Sequence, residues 1–232
     1  MYKKKKILAI IPARSGSIGI KNKNLIKINK LSLVAHAIKC VQKVKIIDHI
    51  HVSTDGEKIY KEAVKYKQKP LFFRPKKLSG SRISDIQVVE FVLKKTEKIL
   101  KQKFDIILLI QPTSPTRTSS DINHCINLII SKKADSVWTL SKSDLKLHPL
   151  KQLKISKNIF DYYDKKGKSI IARQQLGQLY HRNGICYALT RRTALSRKSL
   201  KGSRSIPYVI NRKISNIDTY EDIIQATKLM KK

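Results

Sequence analysis

The sequence predicts an α/β fold in which a mostly parallel sheet carries helices on both faces, and three observations predict it. Ile7 to Ile11 and Ile106 to Gln111 are short apolar runs without alternation, the pattern of strands covered on both sides. Helical patterns separate the strand-like runs, as parallel crossovers require. The polar loops at Arg14, Asp55 and Gln111 each follow a strand directly, and open α/β sheets place their ligands beyond the carboxyl ends of strands.

Taken in order, the first strand is Ile7 to Ile11, and Pro12 stops its ladder. The loop behind it collects Arg14, Ser15, Gly16, Ser17, Lys23 and Asn24, residues suited to hold anions. Gly16 and Gly19 are expected to supply unusual backbone conformations there, with Arg14, Lys21 and Lys23 adding charge. The loop is neither a Walker A sequence nor a GxGxxG fingerprint. A helix over about 32–44, a strand over 49–53, a helix over about 57–66 and a long helix over about 84–101 follow. The strand Ile106 to Gln111 comes next, then a helix capped by Ser119 or Ser120 and running to about Ser131, then a strand over 136–140. Between about Ser141 and Gly167 the pattern breaks into short polar pieces, read as an inserted arm.

A chain of 232 residues with 41% hydrophobic content suffices for one core, so a single domain over 1–232 is expected. No apolar run approaches the roughly 20 residues of a membrane span. Lys3 to Lys6 mimic the start of a signal peptide, but only five apolar residues precede Pro12, so a cytoplasmic location is expected. Cys40, Cys125 and Cys186 are widely spaced and read as reduced core thiols. The net charge is +34, yet the lysines are scattered without interleaved aromatics, which reads as a solvated basic surface with no specific nucleic-acid partner and no membrane partner. None of the six histidines sits in triad or metal spacing.

The segment Ala13-Arg-Ser-Gly-Ser-Ile-Gly-Ile-Lys-Asn-Lys-Asn24 resembles the N-terminal signature of the acylneuraminate cytidylyltransferases, the CMP-sialic acid synthetases. Further segments resemble that family's in its order. They are Val52-Ser-Thr-Asp-Gly56, Phe73-Arg-Pro-Lys-Lys-Leu78, Leu108-Leu-Ile-Gln-Pro-Thr-Ser-Pro-Thr-Arg-Thr118, Arg173-Gln-Gln-Leu176, Asn183-Gly-Ile-Cys-Tyr187 and Ser215-Asn-Ile-Asp-Thr219. Two signature positions differ: Ile18 stands where the family carries Lys, and Asn216 where it carries Asp. Ser81, Arg82 and Gly177 also depart from common family residues.

The resemblance implies a Rossmann-like fold of the nucleotide-diphospho-sugar transferase type, CTP and a nonulosonic acid as substrates, Mg²⁺ as cofactor, and a homodimer made by the inserted arm at 141–170. It assigns catalysis to Arg14, Lys23 and Asp218. Nucleotide binding falls to Arg14, Ser15, Gly16, Ser17, Lys23, Asn24 and Arg74, with Arg74 beside the cytosine. Sugar binding falls to Gln111, Thr113, Arg173, Asn183 and Tyr187, and the metal to Asp218 and Asn216. The residue types suit these roles: Gln111 both donates and accepts, and an Arg173 fork matches a carboxylate. Tyr187 has packing as an alternative, and Asp222 reads as an exposed residue in the first turn of the last helix. Two outcomes stay open, an active enzyme and a family member that binds ligand without turnover.

Overall fold

The computed structural model describes residues 4–17, 19–196 and 199–231. They form two compact units. Unit 1 comprises Met1–Thr139, Asn183–Tyr208 and Lys213–Lys232, and unit 2 comprises Leu140–Arg182 and Val209–Arg212.

Unit 1 is built on β1 (Ile7–Pro12), whose first five residues are fully buried. The small hairpin of β2 (Lys27–Ile28) and β3 (Leu31–Ser32) leads into α1 (Leu33–Gln42). Then come β4 (His49–Ser53), α2 (Glu57–Lys65), α3 (Asp85–Leu100), β5 (Ile106–Leu109), α4 (Ser119–Ser131) and β6 (Ser136–Lys142). Within unit 2 lies the hairpin β7 (Leu153–Ser156) and β8 (Ile159–Tyr162). The chain closes with β9 (Tyr180–Thr190), the single turn α5 (Arg191–Ala194), β10 (Ser205–Val209) and α6 (Tyr220–Leu229).

The six-stranded sheet runs β10-β6-β9-β5-β1-β4. β1 is parallel to both neighbours, with Leu8 opposite His49 and Ile7 opposite Ile106. The carboxyl ends of β1, β4 and β5 therefore share one edge. β9 runs antiparallel to β5, with Leu109 opposite Tyr187, so Asn183 and Gly184 arrive at that same edge. On one face, Val88, Val89, Val92 and Leu93 of α3 pack on Leu8, Ile10, Ile107 and Leu109. Alternation turns Ile7, Ala9 and Ile11 to the other face, and α1 packs on β1 as well as on α2 and α4. Covering both faces is what the unbroken apolar strands require.

Helix starts follow their caps. Ser32 accepts from the Ala35 amide at 3.1 Å and opens α1. For α4 the cap is Thr118, one residue before the expected serines; its Oγ1 accepts from the Asp121 amide while Asp121 accepts from the Thr118 amide at 2.8 Å. That reciprocal pair, available only with a carboxylate three residues on, selects Thr118 over Ser119. The expected arm at 141–170 lies within unit 2, where the polar pieces form the β7–β8 hairpin and short 3₁₀ turns.

Candidate active site

At the carboxyl edge of the sheet, unit 1 holds a cleft of about 310 Å³. Four chain segments line it. Arg14, Ser17, Gly19, Lys23 and Asn24 come from the loop after β1, and Arg74 with Ser81 and Ile83 from the stretch before α3. Asp85 and Val88 belong to α3, and Gln111, Pro112 and Thr113 to the loop after β5.

The β1 loop is fixed by its own polar side chains. Asn24 Nδ2 donates to the Arg14 carbonyl at 2.9 Å. The Ser15 amide and hydroxyl both donate to Asp55 at 2.8 Å, so Ser15 anchors the loop to the end of β4 and its amide is already engaged. Gly56 allows this approach, because a Cβ there would stand 2.7 Å from that of Ser15. Gly16 departs from the expectation of an unusual backbone conformation: among the described residues nothing lies within 4 Å of where its Cβ would be, and its φ is not left-handed. Ile18 lies outside the described residues. Lys21 is exposed and does not line the cleft.

Lys23 reaches the C-terminal segment. Its Nζ donates to the Ile217 carbonyl at 3.0 Å and to Asp218 Oδ1 at 2.8 Å. Ile217 is buried with Ile20, Ile28 and Leu33, and its amide donates to the Thr113 carbonyl at 2.7 Å. Asp218 remains largely exposed. Asp222 accepts from the amides of Asp218 and Thr219 in the capping box of α6, as its place in the first turn suggests.

Arg74 is buried at 5% exposure, and its Nε and Nη2 have no hydrogen-bond partner among the described residues. Burial lowers its pKa; Asp55 and Asp85 oppose the shift and Arg14 adds to it. A guanidinium held this way is costly unless a ligand brings acceptors.

Around Gln111, three segments are stitched together. Gln111 Nε2 donates to Asp85 Oδ2 at 3.1 Å. Ser114 Oγ donates to the Asn183 carbonyl at 2.8 Å and to Asn216 Oδ1 at 3.2 Å. The buried Arg117 donates to the carbonyls of Ile185, Gln111 and Gly184. Gly184 has φ of +69°, and a Cβ there would stand 2.5 Å from Gln111 Oε1. Asn183 is buried, and its side chain accepts from the Ile185 amide.

The structure therefore brings Arg14, Ser17, Lys23, Asn24, Arg74, Gln111 and Thr113 to one cleft, with Asp218 and Asn216 bonded to its walls. Tyr187 is elsewhere: at 3% exposure it packs edge-on against Trp138 in the core under α3, the packing alternative for a strand tyrosine. Arg173 lies in unit 2, exposed at the start of a short 3₁₀ turn. Asp85 and Arg117 were not singled out by sequence. Asp85 sits in an ordinary helix start, and Arg117, though inside the Gln111 segment, gives no sign in sequence that its side chain turns inward.

Comparison with known proteins gives the family. A sequence model described as Cytidylyltransferase matches residues 8–231. The chain belongs to the cytidylyltransferase family. A CMP-N,N'-diacetyllegionaminic acid synthase of Legionella pneumophila is 30% identical over 228 residues, covering 97% of this chain and 96% of its own. A pseudaminic acid cytidylyltransferase of Campylobacter jejuni is 27% identical, with 97% of each chain covered. An N-acylneuraminate cytidylyltransferase of Escherichia coli is 27% identical over 232 residues, and the chain spans about half its length, 52%. Among solved structures, a CMP:2-keto-3-deoxy-manno-octonic acid synthetase complexed with CTP superposes with a TM-score of 0.74 at 15% identity, over 97% of this chain and 98% of its own. At that identity the likeness speaks for the fold. It agrees with the mixed α/β architecture expected of this cytidylyltransferase.

Proposed function

We propose that this cytidylyltransferase activates a nonulosonic acid with CTP, giving the CMP-sugar and pyrophosphate. One observation carries the reading: the buried, incompletely partnered Arg74 shares a cleft with Arg14 and Lys23, so one anionic ligand with an acceptor-rich base satisfies all three. Legionaminic, pseudaminic and acylneuraminic acids are the sugars named for its relatives, which sets the substrate class.

In the reaction, the anomeric hydroxyl oxygen attacks the α-phosphorus. A new P–O bond forms, the bond to the β-phosphate oxygen breaks, and the hydroxyl proton is released. Arg74 is assigned the cytosine. Arg14 and Lys23 meet the charge that grows on the departing pyrophosphate, supported by Ser17, Asn24 and the loop that Ser15 anchors. Gln111 and Thr113 orient the acceptor against a wall shaped by Asn183.

Mg²⁺ suits the oxygen donors at the cleft wall. Among the described residues no three His, Cys, Asp or Glu converge on one point. Asp218, with Asn216 as a carbonyl donor, matches the habit of Mg²⁺ to take one or two protein oxygens beside phosphates and water. Bound there, the ion supplies charge neutralisation of the phosphates. A second reading, binding without turnover, draws on Asn216, a neutral side chain whose oxygen is already engaged by Ser114.

The proposal extends to a cytoplasmic homodimer. The β7–β8 hairpin exposes Ile155 at 79%, Ile159 at 73% and Phe160 at 69%, a patch that needs cover in water. The chemistry is tested by incubating the protein with CTP, Mg²⁺ and sialic, legionaminic or pseudaminic acid and weighing the products. A CMP adduct with one acid, formed in step with pyrophosphate, supports turnover. CTP binding with no adduct from any of them selects the binding protein instead.

A further inference from the structure

Among the described residues Asp85 is the one carboxylate lining a cleft otherwise furnished with cations, and a nucleoside triphosphate entering it brings four negative charges. A carboxylate there opposes binding unless it accepts hydrogen bonds from the ligand. The cap of α3 is made by other residues, Ser84 donating through both amide and hydroxyl to Gln87 Oε1 at 2.9 and 2.8 Å.

Its neighbours indicate which part of the ligand it meets. On one side, Asp85 Oδ2 accepts from Gln111, the residue assigned to the acceptor sugar. On the other, its charge is felt by Arg74, the residue assigned to the base. In a nucleotide the ribose joins the base to the phosphorus that the acceptor attacks. A group between the base reader and the acceptor reader faces the ribose, whose vicinal hydroxyls are donors that a carboxylate accepts.

We propose that Asp85 accepts the ribose hydroxyls and selects the ribonucleotide over the deoxyribonucleotide. The inference rests on the nucleotide reading of the cleft. Within it, a 2′-deoxy ligand denies the half-buried carboxylate of Asp85 a hydroxyl that it accepts from in the ribonucleotide, and sites built around such a hydrogen bond discriminate against the analogue lacking it. The same bond to Gln111 then links ribose placement to placement of the acceptor.

The test is calorimetric titration of CTP, 2′-deoxy-CTP and UTP into the native protein, Asp85→Asn and Asp85→Ala, with no sugar present. The native protein is expected to bind CTP roughly tenfold or more tighter than 2′-deoxy-CTP. Both variants are expected to bring that ratio within about twofold while keeping the preference for CTP over UTP. Asp85→Asn is nearly isosteric and guards against a folding defect in the alanine variant. A ratio unchanged in the variants overturns the role of Asp85, and so does a loss of discrimination that falls on UTP. Failure of the native protein to bind CTP at all overturns the nucleotide reading itself, and this inference with it.

Discussion

On the proposed nucleotide reading, binding and stability pull Arg74 in opposite directions. Its guanidinium is desolvated without full compensation, so Arg74→Met is expected to leave the melting temperature unchanged or raise it. The same variant is expected to weaken CTP binding by about 1.5–3 kcal/mol, roughly 10- to 150-fold. Calorimetry beside thermal unfolding checks both directions; a large fall in stability with CTP affinity intact contradicts the assignment. His51 gives a pH signature. It is fully buried, stacked on Phe72 at 4.2 Å with neither ring nitrogen bonded to a described residue, and burial pushes its pKa down to about 3. A folded-state pKa below the unfolded 6.5 means that the unfolded chain binds the extra proton between those values. Stability from this site is present above pH 6.5 and lost as pH falls toward 3, and His51→Leu is expected to flatten that part of the stability curve. At this scale sequence was a partial guide. Arg14, Lys23 and Gln111 were legible from residue type after a strand, whereas Asp85 was not, since an aspartate in a first helical turn is ordinary.

At the scale of elements, the β5–α4 segment organises the cleft's far wall. Arg117 pins three carbonyls that belong to two separate stretches of chain, and Ser114 joins a third. Arg117→Lys keeps the charge but loses the fork, so the acceptor's KM is expected to rise about tenfold or more while CTP affinity changes little, because Arg14 and Arg74 sit on other segments. Gly184→Ala places a Cβ against Gln111 and demands a left-handed alanine, and it is expected to reduce turnover more than the melting temperature. Steady-state kinetics with each substrate varied in turn separates these outcomes. Strand and helix order was readable because short unbroken apolar runs such as Ile7 to Ile11 contrast with the helical patterns between them. The cap of α4 was misplaced by a residue because Thr118, Ser119 and Ser120 are all acceptable caps, and only the reciprocal bond with Asp121 distinguishes them. Tyr187 illustrates the limit of motif reasoning: the residue stands where the resemblance puts it, yet its strand register turns it into the core opposite Leu109.

For the molecule as a whole, charge and the exposed hairpin are the features that local bonding leaves unexplained. With 50 Lys and Arg against 16 Asp and Glu, the protein attracts anions over long range. If CTP and a carboxylated sugar are its substrates, kcat/KM is expected to fall several-fold as salt rises from about 0.02 to 0.3 M, with kcat far less affected. If the hairpin pairs two copies as proposed, Ile155→Asp with Phe160→Ser is expected to convert the dimer to monomers in sedimentation without unfolding it. The arm was legible in sequence only as a loss of periodicity, because its two strands run for four residues each and the alternation of Leu153-Lys-Ile-Ser156 is too short to stand out from the polar stretch around it. The central claim is that segments some 200 residues apart in sequence converge on one nucleotide cleft, as the 195-residue separation of Lys23 and Asp218 illustrates. A crystal structure with CTP bound tests it most directly. The account predicts the cytosine against Arg74 and the triphosphate within reach of Arg14 and Lys23, and CTP seated anywhere else on the protein contradicts it.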